Sequence, residues 1–286
     1  MPEVAILGSG AVGALLGAAL ARAGTDTTLV TREGSAALLG RVGLQVDSPR
    51  FGDHHVWVRA QDRLREPAGA LLVAVKAPHL GAALERIDAE PGVVVPLLNG
   101  VEHLVPLRER FGERVVAGVV RVQAHRAGAA HVVHRAPFVA VTIAAPGAPA
   151  LARALAAAGV DVADGGSEAA VLWGKLARLA GLALATAAAD APLGDVRDDA
   201  EAVAREVVAV AGAEGAALDA DALVDELRGL PDGASSSLRA DVSAGAPDHE
   251  LDAIAGAVLR AAARHGLAVP RTTELAARVE TRAAGR

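Results

Sequence analysis

The sequence predicts an α/β N-terminal domain built on a mostly parallel sheet, followed by an all-α C-terminal domain. Three observations predict it. Short apolar runs alternate with helix-patterned segments through the first half, a glycine-rich turn joins the first run to the first helix, and from Leu151 onward the pattern is mostly helical. At 286 residues the chain exceeds the usual size of one domain, so two cores are expected.

The elements follow in order. Val4-Ala5-Ile6-Leu7 reads as a strand buried on both faces, and an Ala- and Leu-rich helix over 11–23 ends at Gly24, a good C-cap. Residues 27–31 supply a second strand, which completes a βαβ unit. Further strands are expected at 70–75 and 92–97, and β-like segments at 115–122 and 138–143 suggest an extended sheet. A last strand at 160–163 and a Gly-Gly-Ser turn at 165–167 mark the boundary, giving domains 1–166 and 167–286. Helices are expected over 168–189, 201–214, 220–228 and 250–265.

Composition narrows the function classes. With 52% apolar and 22% charged residues the chain is globular; aromatics at 2% give no platforms for stacking bases, and a net charge of −6 gives no bulk attraction for phosphate backbones. Nucleic acid is therefore not the expected partner. The absence of cysteine removes disulfide and thiolate chemistry and suits a reducing, cytoplasmic setting. Residues 4–21 form an uncharged run near the lower length limit for a membrane span, but no Lys or Arg precedes it and its glycines fall at fingerprint spacing; no later segment is read as long enough to span. No membrane association is expected.

Gly8-Ser9-Gly10-Ala11-Val12-Gly13 carries the first chemistry. A GxGxxG pattern is weak alone, but here it follows a strand, opens a helix and precedes a second strand, the context of a Rossmann dinucleotide site. Gly8 permits the tight turn, Gly10 lets the backbone approach a pyrophosphate, and Gly13 lets the helix pack on the sheet. At the end of the second strand stand Thr31 and Arg32, where a carboxylate would favour NAD. Arg32 offers a planar donor fork to a 2′-phosphate and Thr31 a hydroxyl, so NADPH is the expected cofactor. Glu33 and a purely solvated Arg32 are the competing readings.

Beyond the glycine loop, Val75-Lys76 follows the third strand and Leu98-Asn99-Gly100 the fourth. Trp173-x-Lys175 lies on the first long helix of the C-terminal domain, and Ser236-Ser237 precedes Glu250-Leu251-Asp252. In that order over the whole chain, including the closing Gly266-Leu267-Ala268-Val269-Pro270, the series resembles the ketopantoate reductase (2-dehydropantoate 2-reductase) family, as a divergent member. The resemblance implies a C-terminal domain like that of 6-phosphogluconate dehydrogenase. It also implies hydride transfer from NADPH to a small 2-keto acid between the two domains, as in pantothenate biosynthesis. Carried over, Lys175 is the proton donor and Glu250 its partner. Ser237 binds substrate, while Lys76 and Asn99 serve both cofactor and substrate.

The residues themselves leave alternatives open. Lys76 and Lys175 are the only lysines in a chain whose other cations are arginine; burial makes a lysine a usable acid near neutral pH, as arginine never is. Lys175 could equally snorkel to solvent, Asn99 form a plain turn, and Glu250 lie on an exposed first helical turn. The family's usual asparagines four and eight positions after the lysine are Leu179 and Ala183 here, and a third is Ala255. One extra residue separates Ser237 from Glu250. Losing three amides removes directed hydrogen bonds and predicts a more apolar pocket, suited to a 2-keto acid other than ketopantoate.

Other features are read as follows. His131-x-x-His134 is expected in a surface hairpin with its rings on opposite faces, no metal is expected, and Arg239 is either a carboxylate clamp or a solvated helix charge. A homodimer is an open option. Competing functions are an (R)-2-hydroxyacid dehydrogenase using NAD(P) and a non-catalytic NADPH-binding regulator.

Overall fold

The computed structural model describes residues 3–285, and its contacts divide the chain into two units. Met1–Leu98 with His103–Glu168 form the first; Asn99–Glu102 with Ala169–Arg286 form the second. The segment Asn99–Glu102 thus groups with the helices although it follows a strand of the sheet.

In the first unit, β1 (Val4–Leu7) is buried on both faces, as its unbroken apolar run requires. Then come α1 (Ala11–Arg22), β2 (Thr27–Val30), α2 (Glu33–Val42), β3 (Leu44–Asp47), β4 (His54–Val56), β5 (Arg59–Gln61) and β6 (Ala70–Val73). The first half closes with α3 (Leu80–Leu84), β7 (Val93–Pro96) and α4 (Leu104–Phe111). The main sheet has the order β5-β2-β1-β6-β7 and every pairing in it is parallel. Because β2 lies on one side of β1 and β6 on the other, the order reverses between β1 and β6. Such a switch point opens a crevice at the carboxyl ends of the strands, where ligands bind in open α/β sheets. The glycine loop leaves one of these strands and Lys76 follows the other.

The later strands reach this sheet through a parallel bridge between Val94 of β7 and Val115, and otherwise pair outside it. β8 (Gly118–Arg121), β11 (Ala140–Ile143) and β12 (Asp161–Asp164) form a separate sheet in which β11 runs antiparallel to β8 and parallel to β12. β9 (Ala124–Gly128) and β10 (His131–His134) join β3 and β4 in a third sheet, and α5 (Pro149–Ala157) precedes β12. The reason lies in patterning: β1, β2 and β6 at the centre of the main sheet are buried on both faces, whereas β10 and β11 alternate half-buried and buried, the signature of one-sided burial. His131 and His134 do occupy opposite faces of β10, in an antiparallel pair with β9. His134, however, is not a surface residue. It is 2% exposed, with Nδ1 at 2.9 Å from Ser48 Oγ and Nε2 at 3.1 Å from the Phe138 carbonyl, and burial lowers its pKa.

The second unit contains α6 (Glu168–Ala189), α7 (Arg197–Ala213), α8 (Ala220–Arg228) and α9 (Ser237–Ser243). The expected helix over 250–265 instead begins with a π-helical segment, Asp252–Gly256, and continues as α10 (Ala257–His265); α11 (Pro270–Ala284) follows, with Pro270 at its first position, where a missing N–H costs nothing. Over five residues a wider turn leaves too little trace in the apolar spacing to be read from sequence. The core is an Ala/Val/Leu packing that draws Leu176, Ala180 and Leu184 from α6 and Val203, Val207 and Val210 from α7 into one cluster. α6 is also long and apolar enough to cross a membrane, with a mean hydropathy of 1.3, contrary to the expectation that no later segment reaches that length; 61% of that window is buried by the fold itself.

Candidate active site

The glycine loop is filled behind and open in front. Gly8 has φ +105°, and a Cβ there would lie 2.7 Å from Val75 Cγ1; a Cβ on Gly13 would lie 2.0 Å from the Gly8 carbonyl oxygen. At Gly10 the nearest atom to such a Cβ is the Ala74 carbonyl oxygen, 3.8 Å away. The sequence has therefore placed its glycines where sheet and helix must touch and where a ligand can approach the backbone. Gly10 caps α1 without a side chain, so Ala11, Val12 and Gly13 open the helix with amides that have no acceptor in the preceding turn. These residues fit a dinucleotide diphosphate.

Around the loop the side chains are ordered by contacts distant in sequence. Ser9 Oγ lies 2.7 Å from Thr31 Oγ1, which pins the loop to the end of β2. The Thr31 hydroxyl, expected to face a phosphate, is thus engaged with Ser9, and Thr31 is buried. Arg32 holds the extended N-cap position of α2 and is exposed, while Glu33 is the first helical residue. Lys76 is half-buried just past β6 and begins a short 3-10 turn, where its carbonyl accepts a bond from the His79 amide. One neighbour escaped the sequence reading: Arg126 of β9 donates from Nη1 to the Ser9 carbonyl at 2.7 Å. An arginine in a short polar strand carries no local sign of this role.

In the second unit the structure brings together Lys175, Glu250 and Asn99. Asn99 Nδ2 donates to Glu250 Oε2 at 2.9 Å, and the Glu250 carboxylate acts electrostatically on Lys175. Burial on α6 pulls the Lys175 ammonium down from 10.5 to about 8, while Glu250 pulls it back up; desolvation is the larger effect. Neither the snorkelling reading of Lys175 nor the exposed-turn reading of Glu250 describes this arrangement. Asn99 is not in a plain turn either. Gly100 beside it has φ +84°, and a Cβ there would lie 2.3 Å from the Ala253 carbonyl oxygen, so the 99–100 backbone is seated against the π-helical segment that follows Glu250. π turns are concentrated at functional sites.

The positions where the family usually carries asparagine are filled by packing. Ala183 and Ala255 are buried in the helical core, and Leu179 packs half-buried against it. Ser237 stands exposed at the first position of α9, and its neighbour Ser236 is the engaged serine. Ser236 Oγ accepts from the Arg239 amide at 3.1 Å and lies 2.8 Å from Thr186 Oγ1. Arg239 is neither a free clamp nor solvated: its Nε donates to Asp190 at 3.0 Å, and Asp190 also takes Arg282 at 2.6 Å, which holds its carboxyl at about 2. Among the described residues no three His, Asp or Glu side chains gather as a metal site.

Comparison with known proteins places this geometry. Solved structures close to the chain include a PanE/ApbA family ketopantoate reductase from Ralstonia eutropha JMP134, 30% identical, with a TM-score of 0.86 over 99% of this chain and 98% of that one. D-mandelate dehydrogenase, solved as a ternary structure with NADH and anilino(oxo)acetate, superposes with a TM-score of 0.88 over 99% of this chain and 98% of that one; at 19% identity this likeness is one of fold alone. A 2-dehydropantoate 2-reductase of Archaeoglobus fulgidus is 30% identical over 133 residues, 46% of this chain and 44% of that one. The matched stretches span less than half the length of the curated relatives. The family model described as ketopantoate reductase PanE/ApbA matches residues 4–147 and the one for its C terminal part matches 167–283; the chain belongs to the ketopantoate reductase family.

Proposed function

We propose that the protein is an NADPH-dependent reductase of a small 2-keto acid, with Lys175 as proton donor. The observation that carries the proposal is the lysine itself: a half-buried ammonium with its pKa brought to about 8, facing a carboxylate that an asparagine amide holds in place. Such a group is mostly protonated at neutral pH yet gives up its proton readily, the compromise that general-acid catalysis needs. When bound, the reduced nicotinamide supplies the hydride to the carbonyl carbon. Lys175 Nζ gives a proton to the carbonyl oxygen and becomes a neutral amine, so hydride and proton together convert C=O to CH–OH. Glu250 keeps the ammonium charged before transfer, and Asn99 fixes the carboxylate. Gly8 to Gly13 hold the diphosphate and Arg32 the 2′-phosphate. Lys76 and Asn99 are assigned to cofactor and substrate, and Ser237 to the substrate.

The absence of amides at 179, 183 and 255 favours a substrate less polar than ketopantoate, because each missing amide is a directed bond worth about 1 kcal/mol or more. The test is a panel of 2-keto acids graded by size and polarity, followed by NADPH oxidation. Apolar members are expected to be turned over faster than ketopantoate; equal rates would remove the altered-pocket reading. Lys175→Ala is expected to lower kcat by roughly 100-fold or more with NADPH affinity retained. Unchanged turnover and pH dependence would exclude Lys175 as the acid. Because the same amine is a competent base at about pH 8, the reverse oxidation of an (R)-2-hydroxy acid is the second reading, decided by comparing initial rates in both directions.

A further inference from the structure

Arg126 is a cation in an unusual setting. It sits half-buried on β9, donates from Nε to the Gly128 carbonyl at 3.0 Å, and reaches across 117 residues to donate from Nη1 to the Ser9 carbonyl. Four other half-buried arginines, Arg197, Arg239, Arg271 and Arg282, each carry a carboxylate, while Arg86 bonds a backbone carbonyl. Arg126 meets no carboxylate at ion-pair distance among the described residues. Burial alone moves its pKa, downward, and no acidic partner offsets the shift. Withdrawing an unpaired guanidinium from water is unfavourable unless an anion completes it. A strap on the loop would not need the charge, since a glutamine amide could donate the same bond to the Ser9 carbonyl. The loop it straps is the dinucleotide loop, and Ser9 in turn holds Thr31, the residue before Arg32. Its bonds to protein use Nε and Nη1 and leave Nη2 for a further acceptor.

We infer that Arg126 is a second cationic ligand for the dinucleotide, binding a phosphate group of the cofactor at the Ser9 edge of the glycine loop while its bond to Ser9 fixes the loop's shape. The inference rests on the dinucleotide reading above and deepens it. Two phosphate sources share the chemistry, the 2′-phosphate and the diphosphate.

The experiment titrates NADPH and NADH, by nucleotide fluorescence, into wild type, Arg126→Gln and Arg126→Lys at low and high ionic strength. Arg126→Gln is expected to raise the NADPH Kd about tenfold or more and to flatten its salt dependence, with partial recovery in Arg126→Lys. A larger loss for NADPH than for NADH assigns the 2′-phosphate; equal losses assign the diphosphate. Kd values within about twofold of wild type for both nucleotides overturn the inference. So does a loss whose salt dependence matches wild type, the mark of a damaged loop. If Arg126→Gln fails to fold, Arg126→Ala decides on the same criteria: a raised NADPH Kd with a flattened salt dependence supports the inference, and wild-type affinity or a loss with wild-type salt dependence overturns it. Wild type that binds neither nucleotide would instead overturn the dinucleotide reading.

Discussion

At the scale of single residues, Lys175 shows how environment shifts the proton affinity of an ordinary side chain. Desolvation lowers its pKa to about 8 and Glu250 opposes the shift, so the two neighbours set the protonation state between them. The proposed ketone reduction would draw on the ammonium, so kcat in that direction is expected to hold below about pH 8 and fall above it, while oxidation of the hydroxy acid rises through the same range. Removing the carboxylate removes the influence that favours the charged form. In Glu250→Gln the limb of the pH–rate profile is therefore expected to move to lower pH, and a limb that stays in place or moves upward would mean that Glu250 does not act on Lys175 in solution. Lys175 was legible because lysine is rare in this chain and no other Lys or Arg falls between Arg153 and Arg178. Arg126 was not: nothing within several residues of it distinguishes it from a solvated strand arginine.

At the scale of elements, the segment at 99–100 and the π turn after Glu250 act as one fitting. Gly100 combines a positive φ with a backbone approach that leaves no room for a side chain. Gly100→Ala is expected to destabilise the protein by about 1–3 kcal/mol, seen as a lower thermal midpoint, because a strained φ and a steric overlap add. It should also loosen the Asn99–Glu250 bond and shift the same pH limb as Glu250→Gln; a variant as stable as wild type would show that the approach is not as close as described. The helix boundaries of α6 and α8 were legible, since the apolar periodicity that marks them is a local signal. The π turn was not, and neither was the separation of β8, β11 and β12 into their own sheet, because strand pairing depends on partners far along the chain.

At the scale of the whole molecule, each unit has its own core, with the cofactor loop in the first and the Lys175–Glu250–Asn99 cluster in the second. A ligand that binds only the folded first unit stabilises it by mass action, by about 2.7 kcal/mol at 100 times its Kd. NADPH is thus expected to raise the thermal midpoint and to slow hydrogen exchange in residues 8–13 and in the β2–α2 turn. No protection there at saturating NADPH would remove the glycine loop from the cofactor site. By itself the sequence determined the two-part architecture, the parallel strands, the glycine loop and the identity of the lysine. Those features are written in apolar period, glycine spacing and residue rarity, all of which act over a few positions. Only the tertiary structure decided that Asn99 serves Glu250 across 151 residues, that Ser9 is held by both Thr31 and Arg126, and that Ala183 and Ala255 belong to the core. A hydrogen bond or a packed contact depends on distance in space, and the folded chain alone fixes which distant residues become neighbours.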